Sequence, residues 1–298
     1  MTKPAIGFIG LGLMGSAMVE RLQSLGYSVT ITPNRSRPNI DAAVSRGATE
    51  VGTAREVAAA SDIVMLCMDT SVSVEGRMRG EDGVIAGLRE GASVIDFGTS
   101  LPDSTRALAT EVEAAGGAYF DAPLGRTPAQ GREGKLNIMG AGDEAGFEAL
   151  RPVLDDLGEN VFHLGQIGSG HTIKLINNFF AMTTATAMSE AFAMADKAGI
   201  TREKVYGVLS AGPLKSGMMD FVKTYAIDGD PTALAFSIRN ARKDVGYYSQ
   251  MADEAGVVSV ISPAAKQALG LAVADGRGDK LVPEMVDFMS DLFGAKKA

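Results

Sequence analysis

Short apolar runs alternate with amphipathic stretches along the first half of the chain, which predicts alternating strands and helices. Runs of four to six apolar residues have the length of buried strands, and the stretches between them carry apolar residues at helical spacing. The predicted strands lie near residues 5–10, 27–32, 49–51, 63–68, 93–97, 118–121 and 135–139. This order predicts a doubly wound, mostly parallel sheet of the Rossmann type, in which ligands bind beyond the carboxyl ends of the strands.

The pattern changes to helices alone in the second half. Helical stretches are predicted near residues 170–198, 201–211, 214–225, 236–255, 262–274 and 281–293, separated by glycine and proline. The fold class is therefore α/β, with an N-terminal Rossmann domain over residues 1–165 and an all-α domain over residues 166–298. We expect the second domain to serve substrate binding and oligomerisation.

A glycine-rich turn follows the first predicted strand. The sequence Gly10-Leu11-Gly12-Leu13-Met14-Gly15 lies between a strand and a helix, and a second strand follows at once. This context is typical of dinucleotide binding. The first glycine permits the tight turn, the second lets the backbone approach a pyrophosphate, and the third lets the helix pack close to the strand.

Lys174 stands in an otherwise apolar helical stretch, with Asn177 and Asn178 on the next turn. Residues three and four positions apart share one face of a helix, so the ammonium and two carboxamides point the same way. Lysine is rarely buried unless it is paired, and burial lowers its pKa toward the range useful for proton transfer. We therefore expect this face to handle a proton in an active site.

Composition limits the partners and the compartment. The chain has 298 residues, a net charge of −8 and one cysteine, Cys67. An acidic chain without a basic run argues against nucleic acid or a membrane as the main partner, and a single cysteine favours the cytoplasm. His163 and His171 are eight residues apart and lack a carboxylate motif, so we expect no metal site there and predict structural or surface roles for both.

Further short motifs stand in order along the chain. They are residues 8–18, Val94 to Thr99, Asp121-Ala-Pro123 with Gly134-x-Leu136, Gly168-x-Gly170 with Lys174 and Asn177-Asn178, and Lys243-Asp244. In these motifs the chain resembles the β-hydroxyacid dehydrogenase family, related to 3-hydroxyisobutyrate dehydrogenase, over essentially its whole length. The resemblance implies a dehydrogenase or reductase that acts on CH–OH groups and transfers a hydride between a nicotinamide and a small acidic aldehyde or alcohol.

The resemblance also implies roles for individual residues. Lys174 would be the general acid or base and Asn178 would orient the substrate or the lysine. The residues implied in substrate binding are Gly125, Arg126, Thr127, Asn177 and Phe236. Those implied in cofactor binding are Gly10, Leu11, Gly12, Leu13, Met14, Gly15, Asn34, Arg35, Ser36, Met68, Thr99 and Lys243.

The substrate loop departs from the usual pattern of the family, because Gly125-Arg126-Thr127 stands where most members have Ser-Gly-Gly. In this loop the chain resembles the 3-sulfolactaldehyde reductases of the family. A guanidinium suits a sulfonate, and it also suits an ordinary carboxylate. The hypothesis is therefore reduction of 3-sulfolactaldehyde or a related sulfonate. The alternative is a carboxylate substrate such as 3-hydroxyisobutyrate, tartronate semialdehyde or succinic semialdehyde.

Cofactor preference depends on the end of the second strand, where users of NAD place an acidic residue. Here the strand continues into Thr32-Pro-Asn-Arg-Ser-Arg37, and the first acid is Asp41. Two arginines and a serine favour the 2′-phosphate of NADP, with NAD as the alternative cofactor.

Two other classes of protein share the pattern. An imine reductase has the same fold, but such enzymes usually lack the lysine that is present here at position 174. A non-catalytic dinucleotide-binding protein would have no use for Lys174, Asn178 and Lys243 together. The long apolar helix and the helical second domain predict a homodimer or homotetramer.

Overall fold

A computed structural model describes residues 3–33 and 37–295, and the chain divides into two compact units. One unit comprises the described residues up to Lys174, and the other begins at Leu175. The sequence pattern placed the change between residues 165 and 166. The compact units divide within one continuous helix, Ser169–Lys197.

Strands and helices alternate in the first unit, as expected from the apolar runs. The elements are β1 (Ile6–Ile9), α1 (Leu13–Ser24), β2 (Val29–Ile31), α2 (Arg37–Ser45), β3 (Thr49–Glu50), α3 (Ala54–Ala59), β4 (Ile63–Leu66), α4 (Ser71–Met78), α5 (Val84–Gly87), β5 (Ser93–Asp96), α6 (Pro102–Ala114), β6 (Ala118–Asp121), β7 (Leu124–Gly125), α7 (Pro128–Arg132), β8 (Leu136–Gly140), α8 (Glu144–Leu157), β9 (Gly158–His163) and α9 (Ser169–Lys197).

The main sheet is parallel and has the strand order β3-β2-β1-β4-β5-β6. This order confirms the predicted Rossmann fold. The direction of winding reverses between β1 and β4, and a ligand crevice in such a sheet lies beyond the carboxyl ends of the strands at that point.

The strands of this sheet are covered on both faces. Successive residues of a strand point to opposite faces. In β4, Ile63 and Met65 accordingly join one apolar cluster, whereas Val64 and Leu66 join a second. Burial on both faces explains why β1 and β4 are continuous apolar runs without alternating polar residues.

A second, three-stranded sheet was not predicted as such. The strand predicted near residues 135–139 does not extend the main sheet, because β8 pairs antiparallel with β7 and parallel with β9. The hydrogen bonds between Asp121 and Ala141 connect β6 to the end of this smaller sheet. The substrate loop predicted by resemblance therefore begins on a short strand, β7.

The second unit is helical in its described part, as predicted. After α9 come α10 (Arg202–Ser210), α11 (Gly217–Ala226), α12 (Ile238–Glu254), α13 (Ser262–Ala272) and α14 (Met285–Leu292), with short 3-10 turns at Thr232–Leu234 and Val282–Glu284. These helices enclose their own apolar core, to which α9 contributes Phe192 and α12 contributes Val245. Within residues 3–33 and 37–295, no helix has the length and apolar character needed to cross a membrane.

Candidate functional site

The glycine turn between β1 and α1 forms an open backbone cradle. Gly10 has a φ of 100°, and a β-carbon there would lie 2.4 Å from the Cys67 carbonyl oxygen. A β-carbon at Gly15 would lie 2.0 Å from the Gly10 carbonyl oxygen, so both positions require glycine. A β-carbon at Gly12 would meet nothing within 4 Å. Gly12 is also the N-cap of α1 and has no side-chain cap, so the helix start is open to an anion.

The neighbouring residues of this turn differ in exposure. Leu11 is buried and its carbonyl oxygen accepts a hydrogen bond of 2.8 Å from Asn39 Nδ2, which connects the turn to α2. Leu13 is 77% exposed, and Met14 packs in part against the core. An exposed leucine at the mouth of a backbone cradle is suited to contact a bound ligand.

Met68 and Thr99, which were predicted from sequence to lie near the cofactor, follow β4 and β5. A β-carbon at Gly98 would lie 3.0 Å from the Met68 carbonyl oxygen, and one at Gly10 would lie 2.9 Å from Met68 Sδ. The loops after β1, β4 and β5 therefore meet at the carboxyl edge of the sheet. This is where the crevice of a Rossmann fold is expected.

The predicted basic loop after β2 is only partly described. Asn34, Arg35 and Ser36 lie outside the described residues. Arg37 begins α2, where its guanidinium pairs with Glu50 at 2.6 Å and with Asp41 at 2.6 Å. Glu50 is the last residue of β3 and stands opposite Ile31 at the end of β2. An anion that reached Arg37 would therefore meet two carboxylates already bound to it.

Lys174 lies on the second turn of α9 and contacts the substrate loop. Its Nζ donates a hydrogen bond of 2.7 Å to the carbonyl oxygen of Leu124, the first residue of β7. The lysine is half-buried, and its neighbours Ile173 and Ile176 are exposed. The apolar residues around Lys174 are therefore not all buried, because only some positions of α9 face the cores. The hydrogen bond brings the predicted proton carrier to the predicted substrate loop.

The side chains of the substrate loop have partners within the first unit. Arg126 has a φ of 79°, the left-handed conformation that favours glycine. Its guanidinium donates to the Lys135 carbonyl oxygen at 2.8 Å and pairs with the carboxylate of Glu159. Thr127 is the N-cap of α7 and shares a reciprocal capping box with Gln130. The guanidinium of Arg126 is therefore already paired with a carboxylate of the protein itself.

Two hydrogen bonds and an ion pair connect the predicted polar residues of the helical unit. Asn177 Nδ2 donates to Asn178 Oδ1 at 3.1 Å, and Asn178 Nδ2 donates to Asp244 Oδ2 at 2.6 Å. Lys243 Nζ lies 3.0 Å from Asp244 Oδ1. Asp244 is buried and orients both Asn178 and Lys243, a role that the sequence did not assign to it. Phe236 lies apart from this chain of contacts, packed in part against the helical core.

Sequence reasoning missed a buried polar cluster beneath the start of α9. Asp121 and His171 are fully buried, and Asp121 accepts hydrogen bonds from the peptide N–H groups of Gly168 and His171 at 2.8 and 2.7 Å. Burial raises the pKa of Asp121, while the nearby His171 and these N–H donors oppose the shift. The prediction left a surface role open for His171, and the structure shows a buried one. The only sequence signal was the Asp-Ala-Pro motif itself, because the partners are about 50 residues apart.

A cavity of about 410 Å³ in the helical unit contains none of the predicted site residues. Its cations are Arg202, Arg277 and Lys280, and each is paired with a carboxylate at 3.3 Å or less. The wall therefore offers a ligand no excess of either charge.

Two family models match successive parts of the chain. The NAD binding domain of 6-phosphogluconate dehydrogenase matches residues 5–165, and the NAD-binding of NADP-dependent 3-hydroxyisobutyrate dehydrogenase matches residues 168–289. The 2-hydroxy-3-oxopropionate reductase of Escherichia coli K12 is 36% identical over 215 residues, which are 72% of this chain and 73% of that protein. The chain belongs to the β-hydroxyacid dehydrogenase family. It is an NAD(P)-dependent oxidoreductase that acts on CH–OH groups.

Other comparisons agree with this assignment. This β-hydroxyacid dehydrogenase is 30% identical to the 2-(hydroxymethyl)glutarate dehydrogenase of Eubacterium barkeri, over 92% of its own length and 91% of that protein. The structure of 3-hydroxyisobutyrate dehydrogenase from Mycobacterium tuberculosis with L-serine superposes with a TM-score of 0.83 at 23% identity, and the match covers 97% of this chain and 99% of the other. At that identity the structural likeness shows the fold alone.

Proposed function

We propose that this β-hydroxyacid dehydrogenase interconverts a short aldehyde bearing an acid group and the corresponding alcohol, with Lys174 as the general acid and base. The observation that supports this proposal is the 2.7 Å hydrogen bond from Lys174 Nζ to the Leu124 carbonyl oxygen. The bond holds an ammonium group beside the loop that follows Asp121-Ala-Pro123, where the family resemblance locates the substrate.

The glycine turn fits a nicotinamide dinucleotide. Gly12 leaves the space above the turn open, and α1 presents peptide N–H groups that no side chain caps. Met68 and Thr99 border the same edge of the sheet and would lie beside the cofactor. When bound, the nicotinamide supplies a hydride to the aldehyde carbon or takes one from the alcohol carbon.

Lys174 supplies the proton that this chemistry needs. Reduction of an aldehyde adds a proton to the carbonyl oxygen, and a positioned ammonium group donates it. A lysine ammonium has three N–H donors. The Leu124 carbonyl accepts one of them, and this hydrogen bond fixes the direction of the ammonium group. In the reverse direction, neutral Lys174 accepts the proton of the hydroxyl group.

Roles are also proposed for polar residues of the helical unit. Asn178 lies four residues after Lys174 on the same helix, so both occupy one face of α9. The amide N–H₂ of Asn178 is directed to Asp244, which fixes the orientation of the carboxamide. We assign substrate orientation to Asn178 and Asn177, contact with cofactor or substrate to Lys243, and a wall of the substrate pocket to Phe236.

A carboxylate is the acid group that the observations favour. The relatives from Escherichia coli and Eubacterium barkeri are named for substrates that carry carboxylates. The guanidinium of Arg126 is already paired with Glu159, so it offers a new anion a shared contact and not an empty one. Tartronate, succinic and 3-hydroxyisobutyrate-derived semialdehydes are therefore the first substrates to test.

A sulfonate is the second candidate, because Arg126 lies in the loop Gly125-Arg126-Thr127. The fork of a guanidinium makes two parallel hydrogen bonds to an oxyanion, and a sulfonate presents three oxygens to it. Reduction of 3-sulfolactaldehyde would require that the sulfonate compete with Glu159 for Arg126. Because Glu159 is about half exposed, water and an incoming anion have access to this pair.

NADP is proposed as the preferred cofactor, with a modest margin over NAD. The support is the basic character of residues 35–37 and the absence of an acidic residue in the sequence between Thr32 and Arg37. Arg37 shares its guanidinium between Glu50 and Asp41. A 2′-phosphate would have to compete with both carboxylates, which is why the expected margin is modest.

A homodimer or homotetramer is proposed on the basis of exposed apolar residues in the helical unit. Val208, Val258 and Val260 are 76%, 86% and 81% exposed, and Phe180 on α9 is 73% exposed. Exposed apolar surface of this kind marks contact sites between proteins when it forms patches. Sedimentation of the purified protein would give the oligomeric state directly.

Initial rates with a panel of aldehydes test the proposed substrate class. Tartronate, succinic and methylmalonate semialdehydes and 3-sulfolactaldehyde are compared at equal concentration with NADPH and with NADH. We expect the highest kcat/KM with a carboxylate aldehyde and a lower KM for NADPH than for NADH. A preference for the sulfonate would replace the first candidate with the second.

The same panel separates this proposal from its rivals. A cyclic imine as a further substrate tests the imine reductase class, in which Lys174 would have no counterpart. Activity with the imine alone would contradict the assignment of Lys174. Cofactor binding without turnover of any substrate would favour a non-catalytic dinucleotide-binding protein.

A further inference from the structure

Asp121 is a buried carboxylate at the end of β6, and the proposed chemistry leaves it without a role. Its side chain has no exposed surface. Oδ1 accepts the peptide N–H of Gly168 at 2.8 Å, and Oδ2 accepts that of His171 at 2.7 Å. Gly168 directly precedes α9 and His171 lies in its first turn, so Asp121 caps the helix that carries Lys174, although it is about 50 residues away in sequence.

The same aspartate is also close in sequence to the acceptor of Lys174. Only Ala122 and Pro123 separate Asp121 from Leu124, whose carbonyl oxygen accepts the ammonium at 2.7 Å. The hydrogen bonds and the two short chain segments therefore form a closed ring. One side of the ring runs from Asp121 to Leu124, and the other runs from His171 to Lys174.

The packing at this ring allows little displacement. A β-carbon at Gly170 would lie 2.2 Å from the Met139 carbonyl oxygen and 2.9 Å from Asp121 Oδ2. The first turn of α9 is thus pressed against β8 and against the carboxylate, and glycine is required for this approach. A close backbone contact on one side and two hydrogen bonds on the other fix the position of the helix start.

The imidazole of His171 completes the support. Thr105 Oγ1 lies 2.7 Å from His171 Nδ1, and both side chains are buried. His171 Nε2 lies 3.7 Å from Asp96 Oδ2, and His171 Nδ1 lies 3.8 Å from Asp121 Oδ2. His171 therefore contacts α6, β5 and β6 from a position three residues before Lys174.

We infer that Asp121 is a positioning residue for catalysis, which holds Lys174 in register with the Leu124 carbonyl by capping α9. The inference rests on the proposed role of Lys174 as the general acid and base. Asp121 makes no contact with the substrate in the proposed reaction. Asp121 affects the reaction only by positioning Lys174, so its effect on kcat should require Lys174. A general effect on folding would not depend on that residue.

A double-mutant cycle between Asp121 and Lys174 tests the inference. Asp121→Asn keeps the shape of the side chain but places an amide donor against a peptide N–H. We expect kcat to fall about 100-fold, the loss typical of a catalytic group displaced by an ångström, with the Kd of NADPH unchanged. In the Lys174→Ala background, the same substitution should have no further effect on the residual rate.

Hydrogen exchange provides a readout that does not depend on turnover. In Asp121→Asn, the peptide that covers residues 166–175 should exchange faster, whereas peptides from β1 and β4 should be unchanged. A circular dichroism melt shows whether the variant is folded. If it is not, Thr105→Val tests the same helix start from α6, with a several-fold loss of kcat that again disappears in the Lys174→Ala background.

Asp96→Asn is the matched control. Asp96 is equally buried and stands opposite Asp121 in the sheet, but the hydrogen bonds it accepts come from Gly98 N and Ser100 Oγ in its own loop. Its Oδ2 lies 3.7 Å from His171 Nε2, beyond hydrogen-bond distance, so it does not cap α9. Its effect should persist in the Lys174→Ala background. If it also disappeared there, the coupling would belong to the buried cluster as a whole, and the assignment to Asp121 would be overturned.

Each outcome bears on one proposal. Equal losses from Asp121→Asn with and without Lys174 would overturn the positioning role, as would an unchanged kcat in a folded variant. Full activity of Lys174→Ala alone would instead overturn the proposed function, because the lysine would then not be the proton carrier. Both the positioning role and the proposed function are supported if Lys174→Ala is very slow and Asp121→Asn has no further effect on kcat in that background.

Discussion

At the scale of single residues, Lys174 and Arg126 are held by partners of different charge. Lys174 donates to the neutral carbonyl of Leu124, whereas Arg126 is paired with the carboxylate of Glu159. The neutral carbonyl directs the ammonium group by a hydrogen bond and does not form an ion pair with it. A carboxylate partner, in contrast, competes with any acid group that approaches the guanidinium.

Arg126→Gly tests whether the arginine anchors the substrate. Glycine adopts the φ of 79° without strain, so the substitution relieves about 1 kcal/mol of backbone strain while it removes the guanidinium. We expect KM for acidic aldehydes to rise about tenfold with kcat retained, the result of losing uniform binding.

Glu159→Gln changes the partner of Arg126 and should move KM in the opposite direction. It removes the competing carboxylate and should lower KM for the same aldehydes. Steady-state kinetics of both variants with one aldehyde and NADPH give the comparison. An unchanged KM in Arg126→Gly would contradict any anchoring role for the arginine.

Two glycines of the cofactor turn give a prediction that separates binding from folding. A methyl group at Gly12 meets no protein atom within 4 Å, whereas one at Gly15 meets a backbone oxygen at 2.0 Å. Gly12→Ala should keep its melting temperature and bind NADPH more weakly. Gly15→Ala should lose about 1–3 kcal/mol of stability through overpacking. Thermal melts and fluorescence titration with NADPH measure the two effects, and a stable Gly12→Ala with unchanged Kd would contradict the cradle.

At the scale of elements, the unit β1-α1-β2 could be predicted well and the second sheet could not. The first strand is a run of buried apolar residues with a glycine turn after it, so its signals are local. β7 has only two residues, and β9 follows α8 without an intervening loop. The pairing of these strands with β8 is decided by contacts distant in sequence, which periodicity does not report.

Several residues of the site show the same limit. Lys174 was predicted because an ammonium group in an apolar helix is unusual. Asp121 and Asp244 were not assigned roles, and His171 was predicted only to have a structural or surface role, because a buried polar residue is recognised only when its distant partners are known. Asp121 is 50 residues from its donor at His171, and Asp244 is 66 residues from Asn178.

Cofactor preference can be tested at the end of β3. Glu50 is the last residue of this strand and binds Arg37 at 2.6 Å. Glu50→Gln removes a negative charge and leaves Arg37 more available to a 2′-phosphate. We expect the Kd of NADPH to fall several-fold and that of NADH to stay constant, as measured by fluorescence titration. Equal changes for both cofactors would contradict a role for Arg37 in reading the phosphate.

At the scale of the whole molecule, each compact unit has its own core and its own part of the proposed chemistry. The first unit contains the glycine turn, the substrate loop and Lys174, and the second contains Asn178, Lys243 and the buried Asp244. The helix α9 belongs to both, since the division falls directly after Lys174. The proposed proton carrier is thus the last residue of the nucleotide-binding unit.

The rate of NADPH oxidation by Lys174→Ala, measured beside the unaltered protein with the best aldehyde of the panel, decides whether Lys174 is the proton carrier. We expect a kcat about 100- to 10,000-fold lower than that of the unaltered protein, since general acid catalysis contributes that much, with the Kd of NADPH unchanged. A Lys174→Ala enzyme that kept most of its kcat would show that Lys174 is not the general acid and base.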